Sequence, residues 1–109
     1  MPYLKFLSLV HAVRQLPSSP ALDALEERLL SNIAVCWYEG KQVKVLEAMH
    51  TQQGVSPSTV HRRLKMLRKK GLIDLANDEI DNRIKYIVAT PASKKYFASL
   101  ERCLADAAK

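Results

Sequence analysis

The chain has 109 residues, 48% of them hydrophobic, which suits one domain with a real core and leaves little for a second module. That apolar fraction excludes a disordered chain, and no apolar run approaches the roughly 20 residues needed to span a bilayer. Seventeen Lys and Arg against eleven Asp and Glu give a net charge of +6, which calls for an acidic partner.

The opening Met-Pro-Tyr-Leu-Lys-Phe-Leu lacks a long apolar stretch followed by a small-residue cleavage site, so the expected location is cytoplasmic, with no membrane partner. Over residues 4 to 16, Phe6, Leu9, Val10, Val13 and Leu16 fall on one helical stripe that Leu4 and Leu7 widen. Pro17-Ser18-Ser19-Pro20 predicts a break and a restart, with Ser19 as cap and Pro20 at the first helical position. The helix that follows carries two stripes, Leu22, Leu25, Leu29, Ile33 and Cys36 on one side and Leu30, Ala34 and Trp37 on another. It should be buried on both.

Glu39-Gly40-Lys41 ends that helix. Val43 is expected to pair as a very short strand before a short helix over roughly 44–51, and Gln52-Gln53-Gly54-Val55 forms a turn. The next segment is the most informative in the chain. Ser56 can cap a helix whose first position is Pro57, and Gly71 can stop it in the left-handed conformation after Lys70. At 100° per residue, Val60, Leu64 and Leu67 share one side, while Ser58, Arg62, Lys65 and Lys69 share the other. From Ala48 through Ile73 there is no Asp or Glu, so the exposed side lacks the mixed signs of an ordinary solvated helix. A one-sign ridge is a field aimed at a polyanion.

After Gly71 the period changes. Leu72–Leu75 and Ile84–Val88 read as two strands, and the polar tract 76–83 between them reads as a projecting loop. Thr90-Pro91 opens a last helix with an apolar stripe of Phe97, Leu100, Leu104 and Ala107, and Tyr96 and Cys103 beside it. The expected fold is therefore mainly α with a small β-hairpin wing (α+β), a winged helix-turn-helix with extra N- and C-terminal helices. Its expected organisation is one domain over 1–109: N-terminal helices over 1–38 as spine and dimer element, helix-turn-helix and wing over 42–89, and a C-terminal helix over 90–109.

Over residues 42 to 97 the chain resembles the MarR family of winged-helix transcription regulators. The resemblance is carried by Val-Ser-Pro-Ser-Thr-Val-His-Arg-Arg-Leu at 55–64, Lys-Lys-Gly-Leu-Ile at 69–73, and Asp81-Asn82-Arg83 followed by a hydrophobic strand and Thr90. It implies that Arg83 reaches into a DNA minor groove and that Asp81 helps to hold it.

The expected function is sequence-specific binding of double-stranded DNA by a homodimer, and regulation of transcription. The helix 56–70 would enter the major groove and the 76–83 loop would lie over the adjacent minor groove. Ser58, Thr59, His61 and Arg62, in the N-terminal half, are the candidates for base edges. Lys44, Ser56, Arg63, Lys65 and Lys69 are the candidates for phosphates. Arg68 and Lys70 are expected to favour the helix C-terminus through its dipole.

The homodimer is expected from the first and last helices, which carry more apolar surface than a chain this small can readily cover. A winged helix used as a protein-contact module, its basic helix meeting an acidic partner, is the competing reading. Catalysis is not expected: Asp74, Asp78, Glu79 and Asp81 cluster in and beside a loop, with no His, Cys or Ser motif to join them. Cys36 and Cys103 lack metal-ligand spacing and read as buried thiols, so no cofactor or metal is expected, and the residues name no small-molecule effector.

Overall fold

A computed structural model describes residues 1–109. Its elements are α1 (Pro2–Arg14), α2 (Ala24–Tyr38), β1 (Val43–Lys44), α3 (Val45–Met49), α4 (Pro57–Lys69), β2 (Ile73–Asn77), β3 (Lys85–Ala89) and α5 (Pro91–Ala107). This is the mainly helical α+β winged helix expected from the periodicities. The chain divides into two compact units, one of residues 1–21 with 91–109 and one of residues 22–90. The division departs from the expected grouping of 1–38 as a single block. The reason lies in which faces are apolar: α1 pairs with α5, whereas α2 packs on α4 and on strands β1 and β3.

In the larger unit, α2 begins at Ala24 rather than at the expected Pro20. Asp23, and not Ser19, is its cap: the Asp23 carboxylate accepts from the Glu26 amide at 2.8 Å, and the Glu26 carboxylate accepts from the Asp23 amide at 3.1 Å. This reciprocal box satisfies two amides that the first turn would otherwise leave open, an advantage that Ser19 cannot match. As expected, α2 is buried on two sides, with Leu29, Leu30 and Ile33 in the core. The Trp37 indole N–H donates to the Ile87 carbonyl at 2.9 Å and fixes α2 on the sheet.

That sheet has the order β1-β3-β2 and is antiparallel throughout. Val43 pairs with Ile87, Leu75 with Ile87 from the other side, and Asn77 with Lys85. The hairpin is longer than the sequence suggests. β2 runs to Asn77 because the Lys85 ammonium donates to the Asn77 side chain at 2.6 Å and the Asp78 amide donates to the Ile84 carbonyl at 2.9 Å. The wing loop is therefore 78–84.

In the smaller unit, the Arg14 guanidinium at the end of α1 donates to the Tyr96 hydroxyl of α5 at 3.5 Å. The buried stripe of α5 is Ser93, Tyr96, Cys103 and Ala107, one position round from the expected one, and Leu104 is 59% exposed. Tyr3, Leu4 and Leu7 of α1 are exposed as well. Of the two thiols expected to be buried, Cys103 is, and Cys36 is only partly covered.

Candidate nucleic-acid interface

Helix α4 has both ends set by local chemistry. The Ser56 hydroxyl accepts from the Thr59 amide at 3.3 Å and lies 2.8 Å from the Thr59 hydroxyl and 3.3 Å from that of Ser58. At the other end Gly71 takes φ +79°, the Leu72 amide donates to the Leu67 carbonyl at 3.0 Å, and the Gly71 amide donates to the Arg68 carbonyl at 2.9 Å. These two bonds are a Schellman stop, which needs the left-handed residue that glycine supplies without strain. The Thr90 hydroxyl donates to the Gly71 carbonyl at 2.6 Å and ties this stop to the end of β3.

Val60, Leu64 and Leu67 are buried, so the inner side of α4 is anchored in the core by the residues its periodicity singles out. Ser58, Arg62, Lys65 and Lys69 are exposed on the opposite side. Lys69 lies eleven positions after Ser58, so the ridge is roughly 16 Å long. Thr59 and His61 are partly covered at its edges.

The six Lys and Arg of this helix segment do not act alike. Arg62, Lys65 and Lys69 are exposed and have no carboxylate beside them. The other three are held by acids from other parts of the fold: Arg63 by Asp23 at 2.9 Å, Arg68 by Asp74 at 3.3 Å, and Lys70 by Glu26 at 2.7 Å. Of the residues expected at phosphates, Arg63 is the one whose guanidinium lies against a carboxylate, that of Asp23. Sixty degrees from Val60 on the helical wheel, it turns toward the N-terminus of α2, where an internal carboxylate already occupies its guanidinium. Lys70 is likewise tied to Glu26 and does not simply sit on the helix dipole. Lys44 is exposed on β1 opposite Tyr86, at the root of the wing and not on α4.

The wing is built around two carboxylates. Asp78 accepts from the amides of Ile80 and Asp81, each at 3.0 Å, and from the Tyr86 hydroxyl at 2.8 Å. These donors, the Asp81 amide first and the Tyr86 hydroxyl next, hold the Asp78 carboxyl below its ordinary range, and the same bond raises the Tyr86 phenol. Asp81 accepts from Arg83 through Nε and Nη2, both at 3.0 Å, and from the Arg83 amide at 3.0 Å. The guanidinium lowers the Asp81 carboxyl, which in turn raises Arg83. A two-point clasp of this kind fixes a planar guanidinium in direction as well as in position. The Arg83 side chain is 90% exposed, so the clasp presents it to solvent.

Sequence reasoning placed the outward face of α4 and the Asp81-Arg83 wing pair, and it missed Asp23, Glu26, Asp78 and Tyr86. The Asp23-x-x-Glu26 spacing is a capping-box signal that was open to view. The Tyr86–Asp78 bond spans the hairpin, and its register could not be read without the strand ends.

No group of three or more His, Cys, Asp or Glu is arranged to hold a metal ion, and no helix is long and apolar enough to cross a membrane. Residues 51–74 match the family model described as winged helix-turn-helix DNA-binding, which covers the turn, α4 and the start of β2. No curated protein matches the chain. Among solved structures, the transcriptional regulator Tm0710 from Thermotoga maritima aligns with TM-score 0.64 at 17% identity over 97% of this chain and 66% of its own. The heme sensor protein PefR from Streptococcus agalactiae, in complex with heme, aligns with TM-score 0.64 at 19% identity over 95% of this chain and 67% of its own. Heme-free PefR gives TM-score 0.63 at 17% identity over 95% and 87%. The chain therefore spans about two thirds of the length of the first two. At these identities the likeness is one of fold. Together with the DNA-binding segment at 51–74, it shows a winged helix fold that carries a helix-turn-helix DNA-binding segment.

Proposed function

We propose that the protein is a MarR-type regulator that binds double-stranded DNA sequence-specifically as a homodimer in the cytoplasm and acts without catalysis. The observation that carries this reading is the outer side of α4, where Arg62, Lys65 and Lys69 stand exposed without a carboxylate beside them while Val60, Leu64 and Leu67 hold the opposite side in the core. A cationic ridge roughly 16 Å long on a convex helix suits the major groove. Ser58, Thr59, His61 and Arg62 are assigned to base edges. Lys65, Lys69, Lys44 and Ser56 are assigned to phosphates, which position the protein without reading sequence. Arg83, aimed by Asp81, is assigned to the minor groove beside it.

Support for the dimer comes from Tyr3, Leu4, Leu7 and Leu104, which expose apolar surface in the α1–α5 unit. A mass of two chains by light scattering at micromolar concentration is expected, and a single-chain mass would remove the dimer.

The test of the whole reading is selection from a random duplex pool at near-physiological salt. Enrichment of one motif in two half-sites about 10 base pairs apart is the expected result. Retention of DNA without any enriched sequence would reduce the protein to a generic polyanion binder.

A further inference from the structure

Three of the six cations on the α4 segment are neutralised from inside the protein, and two of these share one acidic source. Asp23 and Glu26, three residues apart, are the two halves of the α2 capping box. They are also the partners of Arg63 and Lys70, seven residues and about two turns apart on one side of α4. Glu26 is the unusual member. It is 2% exposed, it accepts from the Asp23 amide at 3.1 Å, and both of its oxygens accept from the Lys70 ammonium, at 2.9 and 2.7 Å. A carboxylate this deep is costly to keep unless it is fully bonded. Asp23 and Arg63 are half-exposed.

Resting on the DNA-binding reading above, we infer that Asp23 and Glu26 are specificity-setting positioning residues, which fix the recognition helix against α2 and withhold Arg63 and Lys70 from generic phosphate binding. Two effects follow from one device. Anchoring α4 at two points two turns apart restrains its roll and tilt, so that Ser58 and Arg62 meet base edges at a fixed distance. Removing two cations from the accessible set lowers the affinity for any duplex, because non-specific binding scales with the phosphates that are neutralised. Both effects raise the ratio of specific to non-specific binding.

The chemistry of the box permits a clean test. Asn caps a helix about as well as Asp, and Gln replaces Glu in a capping box, so Asp23→Asn with Glu26→Gln keeps the cap and removes both negative charges. Binding is measured over a salt series, on the duplex selected from the random pool and on a scrambled duplex of equal length. In the double variant the scrambled duplex should bind several-fold more tightly at low salt, and its log–log salt slope should steepen by up to ~1.8 per chain for two released cations. The specific-to-scrambled ratio should fall by about five-fold or more, the low end of one lost base contact.

A merely structural role would weaken both duplexes together, and that result overturns the inference. So does a slope and ratio equal to the parent's in a variant whose circular dichroism is unchanged. Should the double variant fail to fold, Asp23→Asn alone, at a half-exposed site, should still steepen the scrambled-duplex slope by up to ~0.9. Absence of that change sinks the proposal. If the parent protein binds no duplex at all, the DNA reading itself falls, and this inference falls with it.

Discussion

Replacing Lys65 and Lys69 together by alanine isolates the electrostatic part of the account. Both side chains are exposed on the outer side of α4, and neither is paired with a carboxylate. Alanine is also the better helix former. Folding stability should therefore stay within about 0.5 kcal/mol of the parent. DNA binding should change in a specific way. Each lost phosphate contact flattens the slope of log K against log salt by ~0.9, so two lost contacts flatten it by ~1.8 per chain. Between 50 and 200 mM salt, a fourfold change, that slope difference amounts to roughly tenfold in affinity. The deficit of the variant should accordingly be largest at low salt and shrink about tenfold across that range, or about a hundredfold if both chains of a dimer engage. Fluorescence anisotropy with a labelled duplex reads this directly, on selected and scrambled DNA alike. An unchanged slope, or a loss confined to the selected duplex, would refute the assignment of these lysines to phosphates.

Truncating the anchor of the same helix should do the reverse. Leu67 is fully buried, and Leu67→Ala should cost about 2–5 kcal/mol by urea titration, so a loss below 1 kcal/mol would mean that the inner side of α4 is not core. Gly71→Ala meets no neighbouring atom within 4 Å but must hold φ near +79°, so its cost is conformational and should be about 1–2 kcal/mol; an unaffected urea midpoint would count against the Schellman stop. Acid should loosen the wing. The Asp78 carboxyl is lowered in the folded protein, so its contribution is present above the unfolded value and is lost as pH falls through the folded one, below about pH 4. Amide resonances of Ile80 and Asp81 that stay protected down to pH 2 would argue against this fastening. Tyr86 is raised, so its half of the same bond persists below the ordinary phenol range and is lost only as pH climbs through the folded value, above about pH 10.

The recognition helix was legible because its ends and its faces are written locally. Ser56, Pro57 and Gly71 mark the boundaries, and the Val60, Leu64 and Leu67 spacing gives the buried side without reference to the rest of the chain. The start of α2 was misplaced because two signals compete there. Ser19-Pro20 satisfies the usual rule for a cap followed by proline, yet Asp23 with Glu26 satisfies two amides at once and also recruits Arg63 and Lys70. The second advantage is tertiary and has no sequence signature. The same limit explains Arg63. The helical wheel puts it on the flank of α4, but only the position of α2 shows that an acid waits there. The face of α5 was read one residue off because Tyr96 and Cys103, not Phe97 and Leu104, are the side chains its neighbour covers. The wing pair Asp81 and Arg83 was implied by the resemblance to the MarR family, whereas Asp78 with Tyr86 depends on strand register.

The central claim is that the outer side of α4 occupies a major groove while the wing reaches the neighbouring minor groove. Methylation interference on the selected duplex measures both at once. The account predicts interference from guanine N7 methylation, in the major groove, within each half-site, flanked by interference from adenine N3 methylation, in the minor groove, at the adjacent positions where the wing would lie. Binding that tolerates N7 methylation throughout the site would contradict it.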